Sequence, residues 1–101
     1  MPGKKDEFLE QMKKKYADLN YRWNIERNKF EAKIQHEGAG AKNKLEAERD
    51  ELLRIRNEMK EKIIDLEVAS ENAWDDLKDG VENTWQALSK SFDKVISNFK
   101  K

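Results

Sequence analysis

The sequence predicts an all-α protein: a long amphipathic helix followed by a shorter C-terminal helix, in coiled-coil or three-helix-bundle packing, with no β-strand. Three observations predict it. The single proline stands at position 2, so the strongest helix breaker is missing from the rest of the chain. Apolar residues recur at helical spacing through nearly the whole length. Charged residues make up 42% of the 101, with 21 basic against 21 acidic side chains, which suits solvated helix faces alternating with narrow apolar stripes.

Residues 1–69 read as one long coiled-coil helix. Leu9, Met12, Tyr16, Leu19, Trp23, Phe30 and Ile34 fall on one stripe, interrupted by Arg27. The stripe resumes as Ala41, Leu45, Leu52, Ile55, Met59, Ile63 and Leu66, where Leu45, Leu52, Met59 and Leu66 repeat every seven residues. Gly38-Ala39-Gly40 is the candidate hinge, because each glycine costs roughly 1 kcal/mol against alanine in a helix. The surrounding charges oppose a turn there. Glu37 at a C-terminus and Lys42 and Lys44 at an N-terminus each oppose the macrodipole, and no Ser, Thr, Asp or Asn stands ready to cap. The stripe also keeps phase from Ile34 to Leu45. The favoured reading is a continuous helix from about Lys4 to Val68, roughly 100 Å long at 1.5 Å per residue.

Residues 70–101 read as a separate amphipathic helix. Ser70 is a good N-cap, Glu71, Asp75, Asp76 and Asp79 place negative charge in the first turns, and Lys90, Lys94, Lys100 and Lys101 place positive charge at the end. An eleven-residue repeat aligns Trp74, Trp85 and Ile96; Leu77, Leu88 and Phe99; and Val81 and Phe92.

These stripes need cover. An isolated helix whose apolar face stays wet does not recover the roughly 1 to 2 kcal/mol that ordering each residue costs. A C-terminal helix folded back on the second half of the long one leaves residues 9–34 open. An antiparallel homodimer closes every stripe: Tyr16, Trp23 and Phe30 anchor the contact with a partner chain, while Trp74, Trp85, Phe92 and Phe99 anchor the third segment. If the chain turns at Gly38 and Gly40 instead, the same three-helix packing closes within one chain, and the two forms are domain-swapped relatives. Tyr21, Ile25 and Ala32, with Leu53, Ile64 and Val68, lie off the main stripe, where a bundle or a further partner would use them.

Catalysis has no constellation. His36 is the only histidine, Lys33 occupies the place a Glu-x-x-His di-metal pair would need, and no cysteine is present. Ser70, Ser89, Ser91 and Ser97 lack a strained Gly-rich elbow. Asp75, Asp76, Asp79 and Glu82 are explained by helix-start electrostatics. The chain is therefore read as no enzyme, with no cofactor and no metal. Gly38-Ala39-Gly40 lacks the strand and the Lys-Ser/Thr of a phosphate loop. Formal net charge is zero, and acidic residues intersperse Lys13-Lys14-Lys15, so nucleic acid is not expected as a partner. The absence of a signal segment, a long apolar run or cysteine fits a cytoplasmic protein. The functional expectation is a non-catalytic association module, self-associating as a dimer or a small subunit or adaptor of a larger assembly. The alternative is a peripheral lipid-surface protein, because residues 74–99 carry a narrow aromatic face, although the acidic polar face from Glu71 to Glu82 would be repelled by anionic headgroups.

The stretch Ala73-Trp74-Asp75-Asp76-Leu77-Lys78-Asp79-Gly80-Val81-Glu82-Asn83-Thr84-Trp85 resembles a C-terminal segment of small bacterial proteins described as coiled-coil-domain-containing. In them too a Lys/Glu/Ala-rich helical region precedes a Ser-containing break and a Trp-bearing helix ending in Phe-Lys. The detailed likeness covers the last third of the chain. It implies a cytosolic helical protein with a stress-associated role, and it supplies no catalytic residues.

Overall fold

The computed structural model describes residues 3–98, and Phe99 lies outside that range. Three helices run in chain order: α1 (Lys4–His36), α2 (Ala39–Val68) and α3 (Trp74–Ser97), with no strand among the described residues. The molecule measures 53 × 20 × 19 Å, the length of α1 alone at 1.5 Å per residue, so the helices lie side by side. Glu31 pairs with Arg49 and Lys13 with Glu67, which makes α2 antiparallel to α1. Glu48 meets Asn98, and Gly80 faces Lys62, which makes α3 antiparallel to α2. Phe8 meets Trp74 and Arg22 covers Phe92, so α3 runs parallel to α1. The result is an all-α three-helix bundle.

One core joins the three helices. α1 contributes Met12, Leu19, Trp23, Phe30 and Ile34; α2 contributes Leu45, Leu52, Ile55, Met59, Ile63 and Leu66; α3 contributes Val81, Leu88, Phe92, Val95 and Ile96. The first-segment stripe is thus buried nearly as its spacing predicts. Leu9 and Tyr16 are half-buried, and Ala41 is exposed. In α3 the best-buried positions 81, 88 and 95 step by seven, so the heptad outranks the eleven-residue repeat. Leu77, an expected member of that stripe, stays 36% exposed.

The continuous helix through the glycines is corrected by the structure. α1 stops at His36, Glu37 and Gly38 are both extended, and α2 starts at Ala39. The electrostatic objection holds locally: Gly38 supplies no side-chain cap, and the first turn of α2 has no acidic residue. Two features outweigh it. Lys33 and His36 occupy the last turn of α1, where positive charge is favourable, and Glu37 pairs with Lys33 at 3.1 Å. A two-residue turn also lets Trp23, Phe30 and Ile34 find their cover in the same chain, without the loss of translational freedom that recruiting a second one costs. Gly40 lies inside α2, so it is no part of the break. A Cβ at either glycine would meet nothing within 4 Å, and neither has positive φ. Their contribution is low helix propensity, with no close packing.

At the second link Ser70 holds the turn before the helix, and the N-cap of α3 is Ala73, which makes no side-chain cap hydrogen bond. α2 ends at Val68, and the Ser70 hydroxyl accepts the Ala73 N–H at 3.2 Å, while the Ser70 carbonyl accepts Ala73 and Trp74 N–H groups at 3.1 Å. Residues 71–73 form turns that run into α3 at Trp74, three residues later than the expected start near Glu71. The last turn of α2 contains no basic residue of its own. Lys5 from α1 supplies the charge by donating to the carbonyls of Glu67 and Ala69, and Lys13 pairs with the Glu67 carboxylate at 3.1 Å.

Candidate interaction face

Each flank of α1 carries a different chemistry. Taking 100° per residue, the core positions of α1 define its inner side. On the flank toward α2 stand ionic contacts. Arg49 donates from one guanidinium nitrogen to both carboxylate oxygens of Glu31 at 3.0 Å and from Nε to Asp50 at 3.2 Å. Burial works against the Arg49 charge, yet the hydrogen bonds to Glu31 and Asp50 outweigh it and raise its pKa above the ordinary value. Half-exposed pairs of this kind contribute about 0 to 1 kcal/mol each, so they fix register more than stability.

The flank toward α3 carries cation–aromatic contacts in a regular series. Lys78 Nζ lies 5.5 Å from the Phe8 ring centre, Lys15 Nζ 6.0 Å from Trp85, and Arg22 4.8 Å from Phe92. The members step by seven on both helices, 8, 15 and 22 against 78, 85 and 92. Parallel helices in heptad register bring such positions level turn after turn. Each contact is worth about 0.5 to 1 kcal/mol where solvent reaches it. Trp74 and Trp85 are half-buried here, and Phe92 is buried.

The residues expected to anchor a partner chain are placed differently. Trp23 is 1% exposed and Phe30 0%, with ring centres 6.1 Å apart inside the bundle. In this structure their cover comes from the chain's own helices, which corrects the expectation that a partner must supply it. Tyr16 is half-buried in a polar groove of about 300 Å³ shared with Asn20, Asn24, Arg56, Asn57 and Lys60. Asn20 Oδ1 is buried there without a hydrogen-bond partner.

Sequence reasoning missed a buried carboxylate. Glu48 is enclosed between α2 and α3 and accepts the Asn98 side-chain amide at 2.8 Å, tying the end of α3 to the start of α2. The signal was available: position 48 lies three after Leu45 and four before Leu52, a core position of that heptad. His36 is exposed at the end of α1, and among the described residues no group of three His, Cys, Asp or Glu could hold a metal ion. Asp75, Asp76 and Asp79 are exposed along the start of α3.

The outer face of α1 changes along its length: Asp6, Glu7, Glu10 and Lys14 charge it near the N-terminus, and beyond them it carries no charge. Ala17, Tyr21, Asn24, Ile25, Asn28, Ala32 and Gln35 occupy an arc about 100° wide opposite the core, and all seven are exposed and uncharged. Tyr21 is 69% exposed and Ile25 51%. The charges of this stretch, Asp18, Arg22, Glu26, Arg27, Lys29, Glu31 and Lys33, all point toward the two flanks. Ile64 and Val68 are the large exposed apolar residues of α2. No described helix is long and apolar enough to cross a membrane. Comparison with protein-family profiles, curated proteins and solved structures finds no match.

Proposed function

We propose that this protein is a non-catalytic helical association module, self-associating or acting as a small subunit or adaptor of a larger assembly in the cytoplasm. The observation that carries the reading is the uncharged stretch of the α1 outer arc from 17 to 35, which exposes Tyr21 and Ile25. Exposed aromatic and branched apolar side chains within a face cleared of charge suit desolvation against another protein, because nothing charged must be stripped of water. The core does not supply this surface. The residues that hold the bundle together are already covered, so the arc is free to meet a second protein without unfolding the first.

The lipid reading requires more rearrangement. Val81, Leu88, Phe92, Val95 and Ile96, the apolar face of α3 that would enter a membrane interface, are committed to the core. Meeting lipid would take α3 out of the bundle.

Sedimentation equilibrium of the full chain over a wide concentration range tests the proposal. Self-association appears as a mass rising above 12.0 kDa. The double variant Tyr21→Glu with Ile25→Glu should restore the 12.0 kDa species while leaving the helical signal and melting transition unchanged. A mass that stays monomeric into the millimolar range, together with no captured partner that discriminates this double variant, overturns the reading.

A further inference from the structure

We propose that the groove between α1 and α2 around Asn20 binds a small phosphomonoester that also carries a hydroxyl group. The proposal stands apart from the association reading, since it needs no second protein.

The argument starts from the seam between the two helices. Lys13 pairs with Glu67 at 3.1 Å near one end, and Glu31 with Arg49 at 3.0 Å near the other. That antiparallel register sets Asn20 level with Lys60 and Asn24 level with Arg56. Each end of the seam thus places a carboxylate against a cation, whereas the middle places a neutral amide there. Among the described residues neither Arg56 nor Lys60 has an ion-pair partner. Like charges one turn apart on a helix repel, so these two destabilise α2 until a counter-charge arrives. A carboxylate on α1 would supply it, and the chain carries Asn20 and Asn24 instead.

The groove of about 300 Å³ is lined by Tyr16, Asn20, Asn24, Arg56, Asn57 and Lys60: two cations, three amides and a phenol, with no carboxylate. In a chain whose acids equal its bases in number, such a lining favours an anion. Arg56 and Lys60 stand about 6 Å apart along α2, so both heads reach a single tetrahedral oxyanion. A phosphomonoester carries about −1.5 to −2 charges at pH 7 and three acceptor oxygens, which answers two cations. A carboxylate carries one charge and leaves a cation over. The guanidinium takes two phosphate oxygens side by side, and the ammonium and the amide N–H groups serve the rest. Asn20 Oδ1 is buried and has no hydrogen-bond donor within the chain. Phosphate oxygens cannot satisfy it, because they accept too; a hydroxyl on the ester's carbon chain does. The volume suits a ligand of this small size.

Titration of glycerol phosphate into the isotope-labelled full chain at constant ionic strength tests the proposal. The side-chain amide resonances of Asn20, Asn24 and Asn57 should shift and saturate, with a dissociation constant on the order of 0.1 to 1 mM for a site this open to salt. Ethyl phosphate and inorganic phosphate, neither with a hydroxyl on carbon, should each bind about tenfold more weakly. The double variant Arg56→Gln with Lys60→Gln should lose the saturation. Lys42→Gln with Lys44→Gln removes the same charge at exposed sites at the start of α2 and should keep it. Asn20→Asp gives α1 the carboxylate that the middle of the seam lacks, so it should abolish binding and raise the melting midpoint, which separates a filled site from a damaged fold. Shifts that grow without saturating, or equal losses in the two double variants, mean diffuse charge attraction and overturn the proposal. Equal affinity for the three phosphates overturns the hydroxyl-bearing ester in favour of phosphate alone.

Discussion

The two links of the bundle reverse the chain by opposite means. The link between α2 and α3 is built locally: Ser70 caps the turn with both its hydroxyl and its carbonyl, acidic residues follow in the first turn of α3, and Lys5 and Lys13 answer the end of α2. The link between α1 and α2 has no side-chain cap, no acidic residue after it and no left-handed residue. Only two residues are unwound. Its energy comes from the packing of Phe30, Ile34 and Leu45 beside it, side chains that meet only once the turn has formed. A link held by its own hydrogen bonds keeps its shape when the core is disturbed. A link held by the core depends on it, and the continuous helix is the state waiting if that core is spent elsewhere.

Five perturbations separate the two kinds of link. The largest effect is expected from Phe30→Ala, which empties a fully buried site next to the first link and should cost about 3 to 5 kcal/mol in chemical denaturation. Trp74→Ala, beside the second link, removes a half-buried ring that touches Phe8 and should cost less, about 1 to 3 kcal/mol. If Trp74 proved the costlier of the two, the second link would be the core-dependent one. Ser70→Ala removes the cap and should cost about 1 kcal/mol, read as a lower denaturation midpoint with unchanged slope.

The smallest effects lie at Gly38, and there the sign carries the information. Gly38→Asp supplies the missing cap and a negative charge to α2, and should stabilise the monomer by a few tenths to about 1 kcal/mol. Gly38→Ala with Gly40→Ala fits both the turn and a straight helix sterically, since a Cβ at either site is unobstructed. Only Gly38 stands at the break, so Gly38→Ala favours the continuous helix by roughly 1 kcal/mol while Gly40→Ala stabilises α2 in either form, and the swapped dimer seen by size exclusion should increase. Equal behaviour of the two variants would show that local chemistry does not govern this link at all.

What the sequence made legible follows the same division. The helical class, the stripe from Met12 to Leu66 and the break at Ser70 rest on local periodicity and capping, and these can be read along a chain. The break at Glu37 and Gly38 could not be read that way, because Lys42 and Lys44 and the missing cap argue for continuity and the deciding contacts join residues far apart in sequence. Trp23 and Phe30 were rightly seen as side chains in need of cover, but which molecule supplies the cover depends on that one turn. The cation–aromatic series joining 8, 15 and 22 to 78, 85 and 92 becomes visible only when the register of α1 and α3 is known, since neither helix alone marks its lysines as ring-facing. Tyr21, Ile25 and Ala32 stood off the main stripe from the start. That they belong to an arc without charge emerges when the inner face of α1 is fixed and the flanking ions find their partners.

The central claim is that one chain closes its own three-helix bundle by turning at Glu37 and Gly38. An intrachain distance between labels at Lys14→Cys and Asp65→Cys tests it most directly, with the labelled protein diluted into an excess of unlabelled chain so that only intramolecular pairs report. Both sites are exposed and stand nearly level in the α1–α2 hairpin. The bundle predicts a separation below about 25 Å including the label arms, whereas a continuous helix from Lys4 to Val68 would place them about 75 Å apart and contradict the account.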